Sequence, residues 1–318
     1  MSTKPKVLLT NPMHPQVQSE LAQHCELVIA PDVSFATLNA LVRDVDAIIV
    51  RSQLPDDIFE HGLKVKAVVR HGVGLDMIPV ARATARKVVV ANLPGSNTTS
   101  VVEFCLATML HFRGQLAFID SQLRSAGWAK ARAIANHSTE LSGSVCGVVG
   151  VGAIGSGVAK AAYALGMTVL GHTRSPGKMP PFVKAVTKEE LFSSADVVVL
   201  CCPLNEATRG MVNASVIQLM RQNAVLINVS RGPVVDTQAV IEALKEKRIA
   251  GAAMDVHDLH PLTGNESVFD CPNLLLTPHV AAITDSSMLA MSNGTKDTLL
   301  ALLKGERPSN ICNPEIFS

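Results

Sequence analysis

Short apolar runs rich in β-branched residues alternate with amphipathic segments along the whole chain. In the first hundred residues the apolar runs lie at 6–10, 26–30, 46–50, 66–70 and 87–93. Strands of a parallel sheet have this near-continuous apolar character because helices cover both of their faces. Segments with helical spacing lie between the runs, at 36–45 and 78–87 among others. This rhythm predicts a parallel sheet with helices on both faces.

A second alternating set begins at residue 145. Its strand candidates are 145–150, 167–172, 195–202, 224–230, 249–256 and 273–278. A long helical pattern at 98–128 precedes this set, and another at roughly 284–306 ends the chain. We therefore predict an α/β protein with two doubly wound parallel-sheet domains. Such folds bind ligands beyond the carboxyl ends of their strands.

Composition narrows the class of protein. A chain of 318 residues with 47% apolar residues is long enough for two cores. The net charge of +1, with Lys and Arg spread along the chain, argues against nucleic-acid or anionic-membrane partners. No apolar run approaches the ~20 residues of a membrane span, and the four-residue run near the start is too short for a signal peptide. Seven irregularly spaced cysteines favour a reducing compartment, so we expect a cytoplasmic protein.

Gly150, Gly152 and Gly155 have the spacing G-x-G-x-x-G. They follow an apolar strand candidate and open an amphipathic helical pattern, which is the context of a dinucleotide fingerprint. In that fingerprint the first glycine permits a tight turn, the second admits a pyrophosphate, and the third allows helix and strand to pack closely. A tight turn without a ligand is the alternative, but the context favours dinucleotide binding.

The segment after the second strand of this set indicates which dinucleotide is bound. NAD sites usually place an acidic residue there to bind the ribose 2′-hydroxyl. This chain has Thr173, Arg174 and Ser175 instead, and the nearest carboxylate is Glu189. A guanidinium beside hydroxyl groups suits a 2′-phosphate. We predict NADP(H) in preference to NAD(H); the alternative is an exposed arginine on a loop.

Two chemically active residues follow later strands of the same set. Arg231 comes directly after 224–230, and His279 follows 273–278. A fixed cation and a group that exchanges protons near neutral pH, beside a hydride carrier, indicate reduction of a carbonyl next to a carboxylate. A single histidine after a strand is more often structural, but the neighbouring motifs favour a catalytic one.

Seven segments together resemble the D-isomer-specific 2-hydroxyacid dehydrogenases. They are VVRHGVGLDMI, NLPGSNTTSVVE, GVVGVGAIG, NVSRGPVVD, GAAMDV, LLLTPHVAAIT and the ending RPSNICNPE. The resemblance implies a flavodoxin-like substrate-binding domain at 1–99 plus 285–318 and a Rossmann dinucleotide-binding domain at 100–284. It also implies a cleft between the domains and a homodimer formed through the dinucleotide-binding domain.

The resemblance assigns residues to roles. Arg231 is implied as the catalytic arginine that also binds the substrate carboxylate, and His279 as the acid–base group. The implied substrate-binding residues are Arg51, Ser52, Val73, Gly74, Arg231 and His279. The implied dinucleotide-binding residues are Gly150, Gly152, Ala153, Ile154, Gly155, Thr173, Arg174, Ser175, Cys202, Pro203, Thr208, Val229, Ser230, Arg231, Asp255, His279 and Ala281.

The sequence departs from the family pattern at His260, where the family usually has a glutamate bonded to the catalytic histidine. A carboxylate there favours the protonated imidazole, and a second imidazole does not act in the same way. Asp258 is a possible substitute. Three hypotheses follow: His260 orients His279 as a neutral partner, catalysis is impaired, or His257, His260 and Cys271 bind a metal. The metal ranks last because Pro261 disfavours the helix that would align the two histidines. We expect no metal, a structural role for His257, and a catalytic role for His260.

The function predicted from the sequence is hydride transfer between NAD(P)H and a small 2-keto acid or D-2-hydroxy acid. Glyoxylate, hydroxypyruvate and pyruvate are the candidate substrates. The alternative is a catalytically weak dinucleotide-binding sensor or a corepressor-like binding protein. The two differ in turnover, because a binding protein holds the dinucleotide without reducing keto acids.

Overall fold

The computed structural model describes residues 4–258, 262–264 and 266–318. The chain divides into two compact units. The first unit is Met1–Asn97 with Ile283–Ser318, and the second unit is Thr98–Ala282. The unit boundaries therefore lie at 97 and 283, where the sequence analysis placed 99 and 285.

The first unit contains an all-parallel sheet of five strands in the order β2-β1-β3-β4-β5. The strands are β1 (Lys6–Leu9), β2 (Glu26–Ile29), β3 (Ala47–Val50), β4 (Ala67–Arg70) and β5 (Val89–Ala91). This is the flavodoxin-like strand order, with a switch of direction at β1 and β3. The predicted fold class of this unit is confirmed.

Among the residues that the structure describes, five α-helices belong to the first unit. They are α1 (Pro15–His24), α2 (Phe35–Leu41), α3 (Ile58–His61), α4 (Val80–Ala85) and, at the end of the chain, α12 (Asp285–Leu303). A capping box starts α12: the Thr284 hydroxyl accepts the Ser287 amide, and the Ser287 side chain accepts the Thr284 amide. The last helical pattern of the sequence therefore returns to the first unit.

The second unit contains an all-parallel sheet of seven strands in the order β12-β11-β10-β9-β6-β7-β8. The strands are β6 (Val145–Val149), β7 (Thr168–His172), β8 (Val183–Ala185), β9 (Val197–Leu200), β10 (Val225–Asn228), β11 (Gly251–Met254) and β12 (Leu274–Leu276). Six of these strands have the Rossmann order, and β12 extends the sheet. The sequence analysis missed β8, whose three residues include a lysine.

The helices of the second unit differ from prediction at the long pattern 98–128. They are α5 (Thr98–Gly114), α6 (Leu116–Ala126), α7 (Trp128–Ile134), α8 (Ala153–Ala164), α9 (Lys188–Ser194), α10 (Ala214–Ile217) and α11 (Thr237–Lys245). The single helix predicted at 98–128 was wrong, since positive φ angles at Gln115 (50°) and Gly127 (81°) interrupt it. Residues in the left-handed region cannot continue a right-handed helix.

Each sheet separates two apolar cores. Val197 and Val199 of β9 join one core, whereas Val198 and Leu200 join the other, because successive strand residues point to opposite faces. All four side chains are at most 1% exposed. Within the described residues, no helix combines the length and apolarity needed to cross a membrane.

Candidate active site

The residues predicted to bind the dinucleotide gather at the carboxyl edge of the seven-stranded sheet. Register pairs Val149 with His172 and with Leu200, so β6, β7 and β9 end level with one another. Asn228 pairs with Leu200 and with Met254 in the same way. The segments that follow these strands therefore open on one side of the sheet, where doubly wound folds place their ligands.

The glycine loop lies between β6 and α8, and two of its glycines have no room for a side chain. Gly150 has φ +89°, and a Cβ there would lie 2.6 Å from the Cys202 amide nitrogen. A Cβ on Gly155 would lie 2.1 Å from the Gly150 carbonyl oxygen. At Gly152 a Cβ would meet no atom within 4 Å, so open space adjoins this backbone.

The N-terminus of α8 makes the electrostatic potential in that open space positive. The amides of Ala153 and Ile154 lie in the first turn of this twelve-residue helix, where N–H groups have no acceptor within the helix. Such amides and the positive end of the helix dipole attract a phosphate group. The glycine loop therefore fits a dinucleotide pyrophosphate.

The segment after β7 is polar and lacks carboxylates. Thr173 is half-buried, whereas Arg174 and Ser175 are exposed. A 3₁₀ turn at Pro176–Lys178 follows. The positive and hydroxyl-bearing side chains of this segment are thus accessible.

The segment after β10 is held by buried side chains. The amide of the fully buried Asn228 donates to the Arg231 carbonyl (3.0 Å), and its Oδ1 accepts the Ser230 N–H (3.0 Å). The Ser230 hydroxyl donates to the Cys202 carbonyl (2.5 Å). Arg231 Nη1 donates to the Ser230 carbonyl (2.7 Å), and the arginine is half-buried. These contacts fix the backbone from which the Arg231 guanidinium extends.

The loop after β9 contains three further predicted residues. Thr208 Oγ1 donates to the Pro203 carbonyl (2.7 Å), which closes the loop on itself. Pro203 is exposed at its rim. Burial raises the pKa of the Cys202 thiol, so this side chain stays neutral near pH 7.

Asp255 holds the segment that contains His279. The carboxylate is 2% exposed and accepts three hydrogen bonds, from Thr277 Oγ1 (2.7 Å), the Val280 amide (2.8 Å) and the Ala281 amide (3.0 Å). His279 lies between these anchor points with φ +57°, in the left-handed region that non-glycine residues rarely adopt. Backbone outliers of this kind cluster at functional sites.

The side chains of His257, Asp258 and Cys271 have separate partners. His257 Nε2 lies 2.9 Å from the Thr277 carbonyl oxygen, and the Asp258 carboxylate accepts the Thr237 hydroxyl (3.0 Å). Cys271 Sγ lies 3.9 Å from the Ile241 carbonyl, and burial raises the pKa of its thiol, whereas a metal requires the thiolate. Within the described part of the chain, no three His, Cys, Asp or Glu side chains lie together as metal ligands would.

His260 lies outside the described residues. Its predicted catalytic role and its proposed contact with His279 therefore stay predictions.

In the first unit, polar groups meet at the carboxyl ends of β1 and β3. Thr10 Oγ1 accepts the amides of Arg51 (2.8 Å) and Ser52 (3.2 Å), and the Ser52 hydroxyl donates to Asn11 Oδ1 (2.6 Å). The Arg51 guanidinium donates to the Pro12 carbonyl, and burial lowers its pKa. Thr10 and Asn11 were missed by the sequence analysis, although they directly follow the apolar run of β1.

The loop after β4 contains Val73 and Gly74. The Val73 carbonyl accepts the Asn92 amide (2.7 Å), and the Gly74 carbonyl accepts Arg70 Nε (3.1 Å). Arg70, 9% exposed, also donates to the His71 carbonyl (2.9 Å). Arg70 and Asn92 therefore fix the loop; the sequence did not single them out because their partners are backbone carbonyls.

Comparison with known proteins agrees with this arrangement. Residues 106–281 match the model of the D-isomer specific 2-hydroxyacid dehydrogenase NAD-binding domain. The chain is 33% identical to a glyoxylate reductase of Thermococcus kodakarensis, over 98% of this chain and 97% of the relative. The chain belongs to the D-isomer-specific 2-hydroxyacid dehydrogenase family.

Solved structures of dehydrogenases have the same fold. An NADPH-dependent glyoxylate/hydroxypyruvate reductase from Sinorhizobium meliloti, in complex with NADP and malonate, has a TM-score of 0.86 at 29% identity, and the match covers 97% of each chain. An NAD-dependent formate dehydrogenase from Staphylococcus aureus has the same TM-score at 23% identity, covering 96% of this chain and 98% of that one, and so supports the fold alone. This dehydrogenase is an oxidoreductase that transfers a hydride between a nicotinamide dinucleotide and a 2-keto or 2-hydroxy acid.

A histidine of the first unit of this dehydrogenase is buried and neutral. His71 is 3% exposed, and its Nε2 lies 2.9 Å from the Ser292 hydroxyl on α12. Its Nδ1 is buried, and no described residue hydrogen-bonds to it. Burial lowers the pKa of His71 to about 3, and the charges of Arg51 and Arg70 act in the same direction.

We expect the free energy of unfolding to fall less on acidification in the His71→Gln variant than in the parent. The unfolded chain binds a proton at the ordinary pKa of 6.5, but the native imidazole does so only near 3, so acid favours unfolding throughout this window. This linkage lowers the free energy of unfolding by at most about 1.4 kcal/mol per pH unit. A glutamine amide nitrogen can replace Nε2 beside Ser292 and does not titrate. Urea unfolding of parent and variant at about pH 7 and about pH 5 measures the difference; equal losses in both proteins would contradict the prediction.

Proposed function

We propose that this dehydrogenase reduces glyoxylate or hydroxypyruvate with NADPH, with His279 as the acid–base group and Arg231 as the catalytic cation. The observation that carries the proposal is the shared location of the two residues. Both follow strands that end at the same sheet edge as the glycine loop. The glyoxylate reductase of T. kodakarensis and the reductase of S. meliloti support the choice of substrate.

Separate residues of the chain donate the proton, stabilise the developing charge and bind the substrate carboxylate. When bound, the dinucleotide supplies the hydride that reduces the carbonyl carbon. His279 donates a proton to the carbonyl oxygen, and Arg231 stabilises the negative charge that develops there. We assign the substrate carboxylate to the backbone amides of Val73 and Gly74, and we assign Arg51 and Ser52 of the same unit to substrate binding as well.

Steady-state oxidation of NADPH and NADH with glyoxylate, hydroxypyruvate and pyruvate tests the proposal. The assays run from about pH 5 to about pH 9, because the profile of kcat/KM reports the titration of the essential acid. We expect turnover with glyoxylate or hydroxypyruvate and a preference for NADPH. Dinucleotide binding without turnover on any of the three acids would overturn the proposal and favour the binding-protein alternative.

The NADP(H) preference rests on the segment after β7. Thr173, Arg174 and Ser175 stand where NAD sites usually have an acidic residue. Arg174 is exposed, so its guanidinium is free to reach a 2′-phosphate without a change in packing. The S. meliloti reductase is NADPH-dependent, which supports the same preference.

Replacing Arg174 with alanine should weaken NADPH binding and spare NADH. A lost charge-assisted hydrogen bond of about 1.5–3 kcal/mol raises the KM for NADPH roughly 10- to 150-fold. The KM for NADH should change by less than about twofold, since NADH has no 2′-phosphate. Lys160→Ala, which removes an exposed positive charge of α8 outside this segment, is the matched variant. Equal changes in both KM values after the Arg174 substitution would contradict the NADP(H) assignment.

We extend the proposal to a homodimer formed through the second unit. Large apolar side chains are exposed from the end of α5 to the start of α7, although such residues are normally buried. They are Leu110 (54% exposed), Leu116 (75%), Phe118 (53%), Leu123 (42%) and Trp128 (70%). A second copy of the chain would cover this surface.

The cytoplasmic location is supported by the seven cysteines, all of which are free thiols.

A further inference from the structure

The side chain of His257 is bonded to the backbone two residues before His279. Its Nε2 lies 2.9 Å from the Thr277 carbonyl oxygen. A carbonyl oxygen only accepts hydrogen bonds, so Nε2 of His257 carries the hydrogen and donates it. This contact has the same polarity whether the imidazole is neutral or protonated.

The same carbonyl closes the turn that presents His279. The His279 amide donates to the Thr277 carbonyl (3.0 Å), which makes a three-residue turn with Pro278 at its centre. Proline is suited to that position because its ring fixes φ near −65°. His279 then has φ +57°, a conformation that is energetically unfavourable for an L-residue. The surrounding contacts must supply that energy, and the Thr277 carbonyl accepts two of them.

We propose that His257 is a positioning residue, which holds the Thr277–His279 turn so that the His279 imidazole keeps its productive orientation. The inference rests on the proposed acid–base function of His279. It replaces the purely structural role that the sequence predicted for His257.

Two neighbouring contacts make His257 effective as an anchor. A Cβ on Gly232 would lie 2.1 Å from the His257 carbonyl carbon, so the backbone of His257 packs directly on the segment after Arg231. Asp255 holds the other side of the turn through Thr277 Oγ1 and the amides of Val280 and Ala281. Hydrogen bonds therefore fix the turn from two directions, one made by Asp255 and the other by His257.

The test compares His257→Gln with His257→Asn and His257→Phe. Glutamine places an amide nitrogen at the distance of Nε2 and can restore the bond to Thr277, whereas asparagine is one methylene too short and phenylalanine has no donor. We expect Phe and Asn to lower kcat for glyoxylate reduction about tenfold or more, as loss of catalytic alignment does. The His257→Gln variant should have a kcat within about threefold of the parent value. Its KM for NADPH should stay within about twofold of the parent value.

The controls separate this inference from the proposed function. His137→Phe, an exposed histidine of the second unit, should keep the parent kcat. If the parent enzyme reduces no keto acid, or if His279→Ala is as active as the parent, the proposed function fails. With a working parent and an inactive His279→Ala, equal kcat values for the Gln and Asn variants would overturn the positioning role. Equal activity of a folded Phe variant and the parent would overturn it as well.

Discussion

Replacement of His279 by alanine is expected to lower kcat for glyoxylate reduction by about 10²- to 10⁴-fold, the usual contribution of a general acid. The alanine removes the proton donor, and hydride transfer would then leave an unprotonated alkoxide. The three hydrogen bonds to the Asp255 carboxylate come from backbone amides and from Thr277, so the truncation leaves them in place. Stopped-flow or steady-state NADPH oxidation measures the change in kcat.

Dinucleotide binding separates a chemical defect from a structural one. The Kd for NADPH, followed by its fluorescence, should stay within about threefold of the parent in the His279→Ala protein, because a loss confined to the reaction leaves ground-state binding intact. If the His279→Ala protein reduced keto acids at the parent rate, His279 would not be the proton donor of the reaction. The proton would then have to come from another group.

Replacement of Arg231 by alanine should lower kcat/KM for the keto acid by about 10²- to 10³-fold, as loss of a group that stabilises an oxyanion does. The backbone here should survive, since Asn228 binds the Arg231 carbonyl and the Ser230 amide independently of the guanidinium. The Arg231→Lys variant tests the geometry, because lysine keeps the charge but lacks the planar pair of donors that matches a carboxylate.

The dependence of the reaction rate on keto-acid concentration shows whether Arg231 acts mainly in substrate binding or in the transition state. A rise in KM alone would indicate that the guanidinium mainly binds the substrate carboxylate, whereas an equal fall in kcat and kcat/KM would indicate action only in the transition state. An Arg231→Ala enzyme with parent kinetics would contradict both roles. The exposed Arg209→Ala serves as the matched variant, since that side chain lies in the loop after β9 of the same unit.

The strand segments were predictable because they are short and apolar on both faces. The predicted run 195–202 contains β9 (Val197–Leu200), and 224–230 contains β10 (Val225–Asn228). The exception was β8, whose sequence VKA has no such run. The predicted helix at 98–128 failed where Gln115 and Gly127 adopt positive φ. A helical pattern of side chains does not show where the backbone leaves the helical region, since that depends on the neighbouring packing.

The motif residues of the site were also predictable. Glycine spacing identified the loop at Gly150, because a tight turn and close helix packing exclude side chains, and the structure places Cβ contacts of 2.6 Å and 2.1 Å at Gly150 and Gly155. Arg231 and His279 were identified because each directly follows an apolar strand. Resemblance to the dehydrogenases then assigned their chemistry.

The sequence by itself determined the fold class and the family and supplied the prediction of which residues bind the dinucleotide, because local periodicity, glycine spacing and motif order are properties of the chain. Only the tertiary structure decided how those residues are held. The bonds from Asp255 to Val280 and from His257 to Thr277 join residues 25 and 20 positions apart, and the contact of His71 with Ser292 spans 221 positions. The partner in each case is set by how strands, loops and helices distant in the sequence pack together, which no local pattern encodes.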